Sequence, residues 1–164
     1  YQFPSPVRLK DEIYKKIIAK LIKIDILDKY DYNRIAFGAV LLQTVKNKDD
    51  GYKLLSDLLP IEIDVENSSD LQYQINRPRK LKINGQEYEI NRLSKWGVIE
   101  LLGYQLNTED KSAILQSNND AIRLELDINT SSKYNYNFNL NSFNTFYNHL
   151  INLGIEISEN GDIP

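Results

Sequence analysis

The dipeptide Asn84-Gly85 constrains this chain more than any other pair of residues in it. It stands between Leu81 and Ile83 on one side and Tyr88 and Ile90 on the other, all alternating with polar residues. A two-residue type I′ turn needs positive φ at both central positions, which asparagine and glycine adopt most easily. That turn also matches the twist of the antiparallel strands flanking it. The pattern predicts a β-hairpin closed at 84–85, with Lys80, Lys82, Glu87 and Glu89 on its polar face. Lysine and glutamate across the two strands partly neutralise that face. Counting outward from the turn sets Arg79 or Lys80 near Ile90, and Arg77 near Arg92.

The hairpin lies inside the most basic part of the chain. Residues 71–96 hold six basic side chains (Arg77, Arg79, Lys80, Lys82, Arg92, Lys95) against Glu87 and Glu89, a net charge of +4. The chain carries −3 overall, which leaves −7 for everything else. The triplet Ile-Asn-Arg occurs twice here, at 75–77 and 90–92, and Pro78 stiffens the link between Arg77 and Arg79. Guanidinium groups held close repel unless an anion or a carboxylate sits between them. A bidentate arginine pair suits a phosphate or a carboxylate. Asn76 and Asn91 suit hydrogen bonds to phosphate, sugar or base edges, and Tyr73, Tyr88 and Trp96 offer rings for stacking. The candidate binding residues are therefore Arg77, Arg79, Arg92, Lys95, Asn76, Asn91 and Trp96. The competing reading is internal. Arginines beside a sheet commonly pair with carboxylates of their own domain, and Asp64, Glu66 and Asp70 are near in sequence. Asn76 and Asn91 would then bond local backbone.

Around this stretch the hydrophobic pattern sketches the other elements. Ile13, Tyr14, Ile17, Ile18, Leu21 and Ile22 recur at helical spacing with a lysine-rich opposite side, predicting an amphipathic helix over 8–24. Ile35–Val45 is uncharged and apolar on both faces, the pattern of a central strand covered on both sides or of a buried helix, with Gly38 in mid-run favouring the strand. A short helix is expected over 52–59, ended by Pro60, after a charged turn at 47–51. Ile61, Ile63 and Val65 alternate with Glu62 and Asp64 as in a half-buried strand, and Leu71, Tyr73 and Ile75 do so again. Residues 93–106 place Trp96, Ile99, Leu102 and Leu106 at helical spacing, weakened by Gly97 and Gly103. Strands are expected at 112–116 and 121–128 with a turn at 117–120, and an edge strand over the Tyr-Asn alternation of 134–140. Ser142 would cap a last helix stopped by Gly154, followed by a short strand at 155–157 and a tail.

Together these elements predict an α+β fold: one domain over 1–164 with a mainly antiparallel sheet of five to seven strands. Two or three helices would segregate to one face of it, leaving the other face open to a partner. A hydrophobic content of 41% over 164 residues is enough to bury a core without disulfides. No methionine occurs, even at position 1, so the chain reads as processed or excised from a longer one.

Chemistry-bearing motifs are scarce. The absence of cysteine excludes thiolate catalysis and cysteine-bound zinc. No phosphate-binding glycine loop, HExxH or GxSxG pattern occurs, and no cofactor is expected. The single histidine, His149, has no carboxylate at helical spacing from it. Asp25, Asp28 and Asp31 form an acidic turn of the kind that is usually only solvated. An acidic chain with a pI of about 5.2 is a poor whole-protein match for nucleic acid. The reading that follows is a soluble, cytoplasmic, non-enzymatic binding or assembly module, a subunit or domain of a larger complex. Its partner would be a protein or a second copy, with no membrane involved. Nucleic-acid or nucleotide binding by the basic hairpin 77–95 is the first alternative. An enzyme built on His149 with Asp or Glu partners is the second.

Overall fold

The computed structural model describes residues 20, 32–107, 112–138 and 140–162. Of the helix expected over 8–24 only Lys20 is among the described residues, where it is helical and exposed, and the Asp25, Asp28 and Asp31 turn lies outside them. Within them the fold is α+β: a five-stranded antiparallel sheet with two helices on one face. The strands are β1 (Ala36–Val45), β2 (Gln72–Asn76), β3 (Arg79–Ile83), β4 (Gln86–Leu106) and β5 (Ala113–Thr130). The helices are α1 (Lys48–Leu58) and α2 (Leu140–Asn160).

The sheet is organised around β4. One of its edges pairs with β5 from Ile90 to Leu106; the other pairs first with β3 and then with β2. β1 closes the far side by pairing with β5, from Ala36 opposite Asn129 to Val45 opposite Asp120. Asn84 and Gly85 take φ of 51° and 85°, the two positive values that a type I′ turn requires. The turn sets Arg79 opposite Ile90 and Leu81 opposite Tyr88. Beyond Pro78, the Arg77 N–H donates to the Arg92 carbonyl at 3.2 Å.

Strand alternation sorts β4 into two sides. Tyr88, Ile90, Arg92, Ser94, Trp96 and Val98 face the helices, while Glu89, Asn91, Leu93, Lys95 and Gly97 face the side that no described helix covers. The core lies between the helices and the first set, joined by Phe37 from β1, Leu124, Leu126 and Ile128 from β5, Leu55 from α1 and Leu150 from α2. α1 begins at Lys48 because the Asn47 side chain accepts a hydrogen bond from the Asp50 N–H at 2.8 Å, with Asp49 and Asp50 in the first turn. Residues expected to form a charged turn are therefore the helix start.

Several local expectations give way to tertiary pairing. Residues 93–106 are not helical but continue β4, and 113–130 is one strand through the supposed turn at 117–120, because these two segments pair with each other. A register shift between Gly103 and Tyr104 leaves an extra residue on β5 near Gln116. The run Ile35–Val45 forms strand β1 from Ala36, but among the described strands it lies at the sheet's edge, with Val40 and Leu42 exposed on the open side. Ile61, Ile63 and Val65 pack on the core from an extended segment that joins no ladder. The Tyr-Asn alternation at 134–138 makes one bridge, Tyr32 with Phe138, instead of a strand. Helix α2 runs through Gly154 and residues 155–157, and ends at Asn160. Gly154 sits inside the helix, where a Cβ would come within 2.9 Å of Phe37 Cε1, so it marks helix–sheet contact and not a helix stop.

Candidate functional site

The two Ile-Asn-Arg copies are cross-strand neighbours, since Asn76 pairs with Leu93 and Arg77 lies opposite Arg92. Alternation then sends the arginine of each copy to one side of the sheet and the asparagine to the other. The seven candidate binding residues divide the same way. Arg77, Arg79, Arg92 and Trp96 face the helices; Asn76, Asn91 and Lys95 face the open side.

On the helix side the arginines meet carboxylates brought by α2 and the residues after it. Arg77 grips Asp162 with two donors, Nε to Oδ1 at 2.7 Å and Nη2 to Oδ2 at 2.8 Å. The Tyr73 hydroxyl donates to the same carboxylate at 2.5 Å. Arg79 donates through Nη1 to both oxygens of Glu156, at 3.0 and 2.8 Å. Arg92 is 2% exposed; its Nη2 lies 4.0 Å from Glu156, and Nε and Nη2 are buried without a hydrogen-bond partner. Hydrogen bonds from Arg77 hold the Asp162 carboxyl below the ordinary carboxylate range, and Asp162 in turn raises the Arg77 guanidinium. Burial, reinforced by the Asp162 carboxylate, pushes the Tyr73 hydroxyl upward. Burial and the neighbouring Arg79 charge push Arg92 down.

The answering carboxylates are thus Glu156 and Asp162, not Asp64, Glu66 or Asp70. Both come from the C-terminal stretch read as a short strand and tail, and no local pattern connects them to residues 77–92. Trp96 is buried, as is Tyr88, so neither ring is offered to a base. Tyr88 packs against Tyr136, Phe138 and Phe146 with ring centroids 5.0, 5.6 and 4.8 Å away.

On the open side the asparagines form a row of amides across the sheet. Asn76 Nδ2 donates to Asn91 Oδ1 at 3.1 Å, Asn91 Nδ2 to Asn129 Oδ1 at 3.0 Å, and Asn129 Nδ2 to Asp127 Oδ1 at 2.8 Å. Arg34 Nη2 also donates to Asn129 Oδ1, at 2.9 Å, and Asn76 Oδ1 accepts from the Arg92 N–H. Lys95 lies 3.8 Å from Glu125, which Arg123 also contacts, beside a shallow cleft of about 200 Å³ around Gly97. In the hairpin itself Lys80 reaches diagonally to Glu87 at 2.8 Å, while Glu89 is met by Lys133. His149 is exposed on α2. Among the described residues no group of three or more His, Cys, Asp or Glu is placed to hold a metal ion, and no helix is long and apolar enough to cross a membrane.

A different feature has no counterpart in the sequence expectations. β1 stops pairing at Asp120 and β2 at Gly97, yet β4 and β5 continue together to Leu106 and Ala113. Beyond Glu100 they form a two-stranded arm, tied near its end by the Asn107 N–H to the Ser112 carbonyl at 2.9 Å. Leu102, Tyr104 and Leu115 share one face of it, Tyr104 directly opposite Leu115, and each is about half exposed. Ile114 is exposed on the reverse. No protein-family model matches the chain, and no curated protein and no solved structure matches it either.

Proposed function

We propose that this chain is a non-enzymatic binding or assembly module, a subunit or domain of a larger complex, and that the β4–β5 arm takes its protein partner. The observation that carries this reading is the exposed apolar face of Leu102, Tyr104 and Leu115. A two-stranded ribbon is marginal in water by itself, and a cluster of half-exposed large apolar side chains is a usual mark of a contact surface. Tyrosine and leucine on a paired, regular scaffold suit an apolar patch on another protein. The placement of the basic stretch supports a protein over a nucleic acid: Arg77 and Arg79 already hold Asp162 and Glu156, and Trp96 is buried.

The test is site-specific photo-crosslinking in cells that make the protein. A benzophenone side chain placed at Tyr104 or Leu115 is expected to give one discrete adduct, and the same group at Lys82 on the hairpin none. Adding Leu102→Lys should remove the adduct while leaving the circular dichroism spectrum intact. Equal labelling from Lys82, or none from the arm in a folded protein, would reject the proposal.

A further inference from the structure

The edge formed by β1 points to a second binding surface, separate from the arm. Its ten residues, AFGAVLLQTV, contain no charge, no proline and no bulge, and among the described residues nothing pairs with the side away from β5. Natural sheets usually blunt such an edge with lysine, proline or a bulge, because its unpaired N–H and C=O groups are a template for another strand. We infer that this edge is the seam of a two-fold homodimer in which β1 pairs antiparallel with β1 of a second copy.

Hydrogen-bond parity and side-chain position select both the occupant and the register. The Ile35 carbonyl accepts from the Thr130 N–H at 3.0 Å, so odd-numbered residues of β1 turn their polar backbone groups toward β5. The even-numbered residues, Ala36, Gly38, Val40, Leu42 and Thr44, then turn theirs toward the free edge. A two-fold seam must match these residues with one another, which excludes a full overlap that would set even against odd. Centred on Leu41, the pairing sets Val40 opposite the second copy's Leu42 and Gly38 opposite its Thr44. Val40 and Leu42 are the exposed apolar side chains of this strand, 57% and 42% exposed, and both lie on the open side of the sheet. This register covers each of them with the other, and Leu41 meets its own symmetry mate on the helix side. Centring one residue earlier sets Leu42 against glycine and loses that match. The strand is thus complementary to itself in the one property, apolar contact without charge, that it presents.

The test is light scattering on the full 164-residue chain over about 1–100 µM, since self-association follows protomer concentration. The expected mass is twice the 19.1 kDa of the protomer. Val40→Lys with Leu42→Lys, and separately Val40→Glu with Leu42→Glu, should each be monomeric, because the register sets like charges directly opposite. An equal mixture of the two should restore the dimer mass. Should the charged variants fail to fold by circular dichroism, Val40→Thr with Leu42→Thr is expected to weaken the dimer by about tenfold or more, from the lost apolar contact. Tyr104→Ser with Leu115→Ser should leave the dimer intact, which separates this seam from the arm. A monomeric parent chain, a lysine variant that still dimerises, a mixture that stays monomeric, or a dimer lost on the arm substitutions would each overturn the inference.

Discussion

Phe146→Ala is expected to lower the stability of the chain by about 3–5 kcal/mol, the range for truncating a fully buried phenylalanine. Phe146 is 1% exposed and brings helix α2 against Tyr88 of β4. Its ring lies 4.8 Å from both Tyr88 and Phe138, in edge-on contacts with each. Tyr136 completes the group and ties it to backbone, since its hydroxyl accepts the Glu89 N–H at 2.9 Å. Removing Phe146 thus opens a cavity walled by the rings of Tyr88 on β4 and of Tyr136 and Phe138 after β5, which pack on one another and restrict collapse into it. Tyr134 belongs to the same aromatic run but is half exposed, so Tyr134→Ala should change stability by less than about 1 kcal/mol, as exposed sites usually do. Urea unfolding of both variants, read as a midpoint shift at constant slope, checks the contrast. Equal shifts would mean that the aromatic group is not a core element.

Gly161→Ala is expected to lower stability by about 2–4 kcal/mol, a large effect for adding one methyl group. Gly161 has a φ of 78°, a left-handed conformation that costs an L-residue about 1–2 kcal/mol. It stands just past the end of α2, where glycine is the favoured residue. A Cβ there would also overlap the Leu58 carbonyl oxygen, which accepts the Asp162 N–H at 2.9 Å. The overlap is with backbone, so no rotamer change relieves it. The methyl group must push the end of α2 away from the end of α1 and take Asp162 with it. A midpoint that does not move in Gly161→Ala would show that this junction is not held as described.

What the sequence made legible was local. Asn84-Gly85 dictates its own turn, and once the turn is set, counting outward places Arg77 beside Arg92 without further information. The carboxylates that meet the arginines were not legible. Glu156 and Asp162 lie 77 and 85 residues from their partners, and only the docking of α2 brings them near. In β4 the buried side carries Arg92 and Ser94 beside Trp96 and Val98, so apolar-polar alternation is erased. Trp96, Ile99, Leu102 and Leu106 then mimic a helical spacing that the ladder with β5 overrides. Ser117, Asn118, Asn119 and Asp120 look like a turn but are strand, because residues 100–103 pair with them. The uncharged run in β1 was legible as a strand, whereas its place at the edge depends on strand order, which periodicity does not encode.

The guanidinium groups of Arg77 and Arg79 are answered within the fold, with the Arg77–Asp162 pair as the anchor. The direct measurement is the urea midpoint of the native chain and of Asp162→Asn as a function of pH. Arg77 holds the folded-state pKa of Asp162 below its ordinary value of 3.8. A carboxylate depressed in this way stabilises fully above about pH 4–5, and the contribution disappears as pH falls through the folded-state value. The native chain should therefore be the more stable at neutral pH, and the gap to Asp162→Asn should close on acidification. Curves that coincide at neutral pH, or stay parallel down to acid, would contradict the claim and return Arg77 to the list of residues free to bind a ligand.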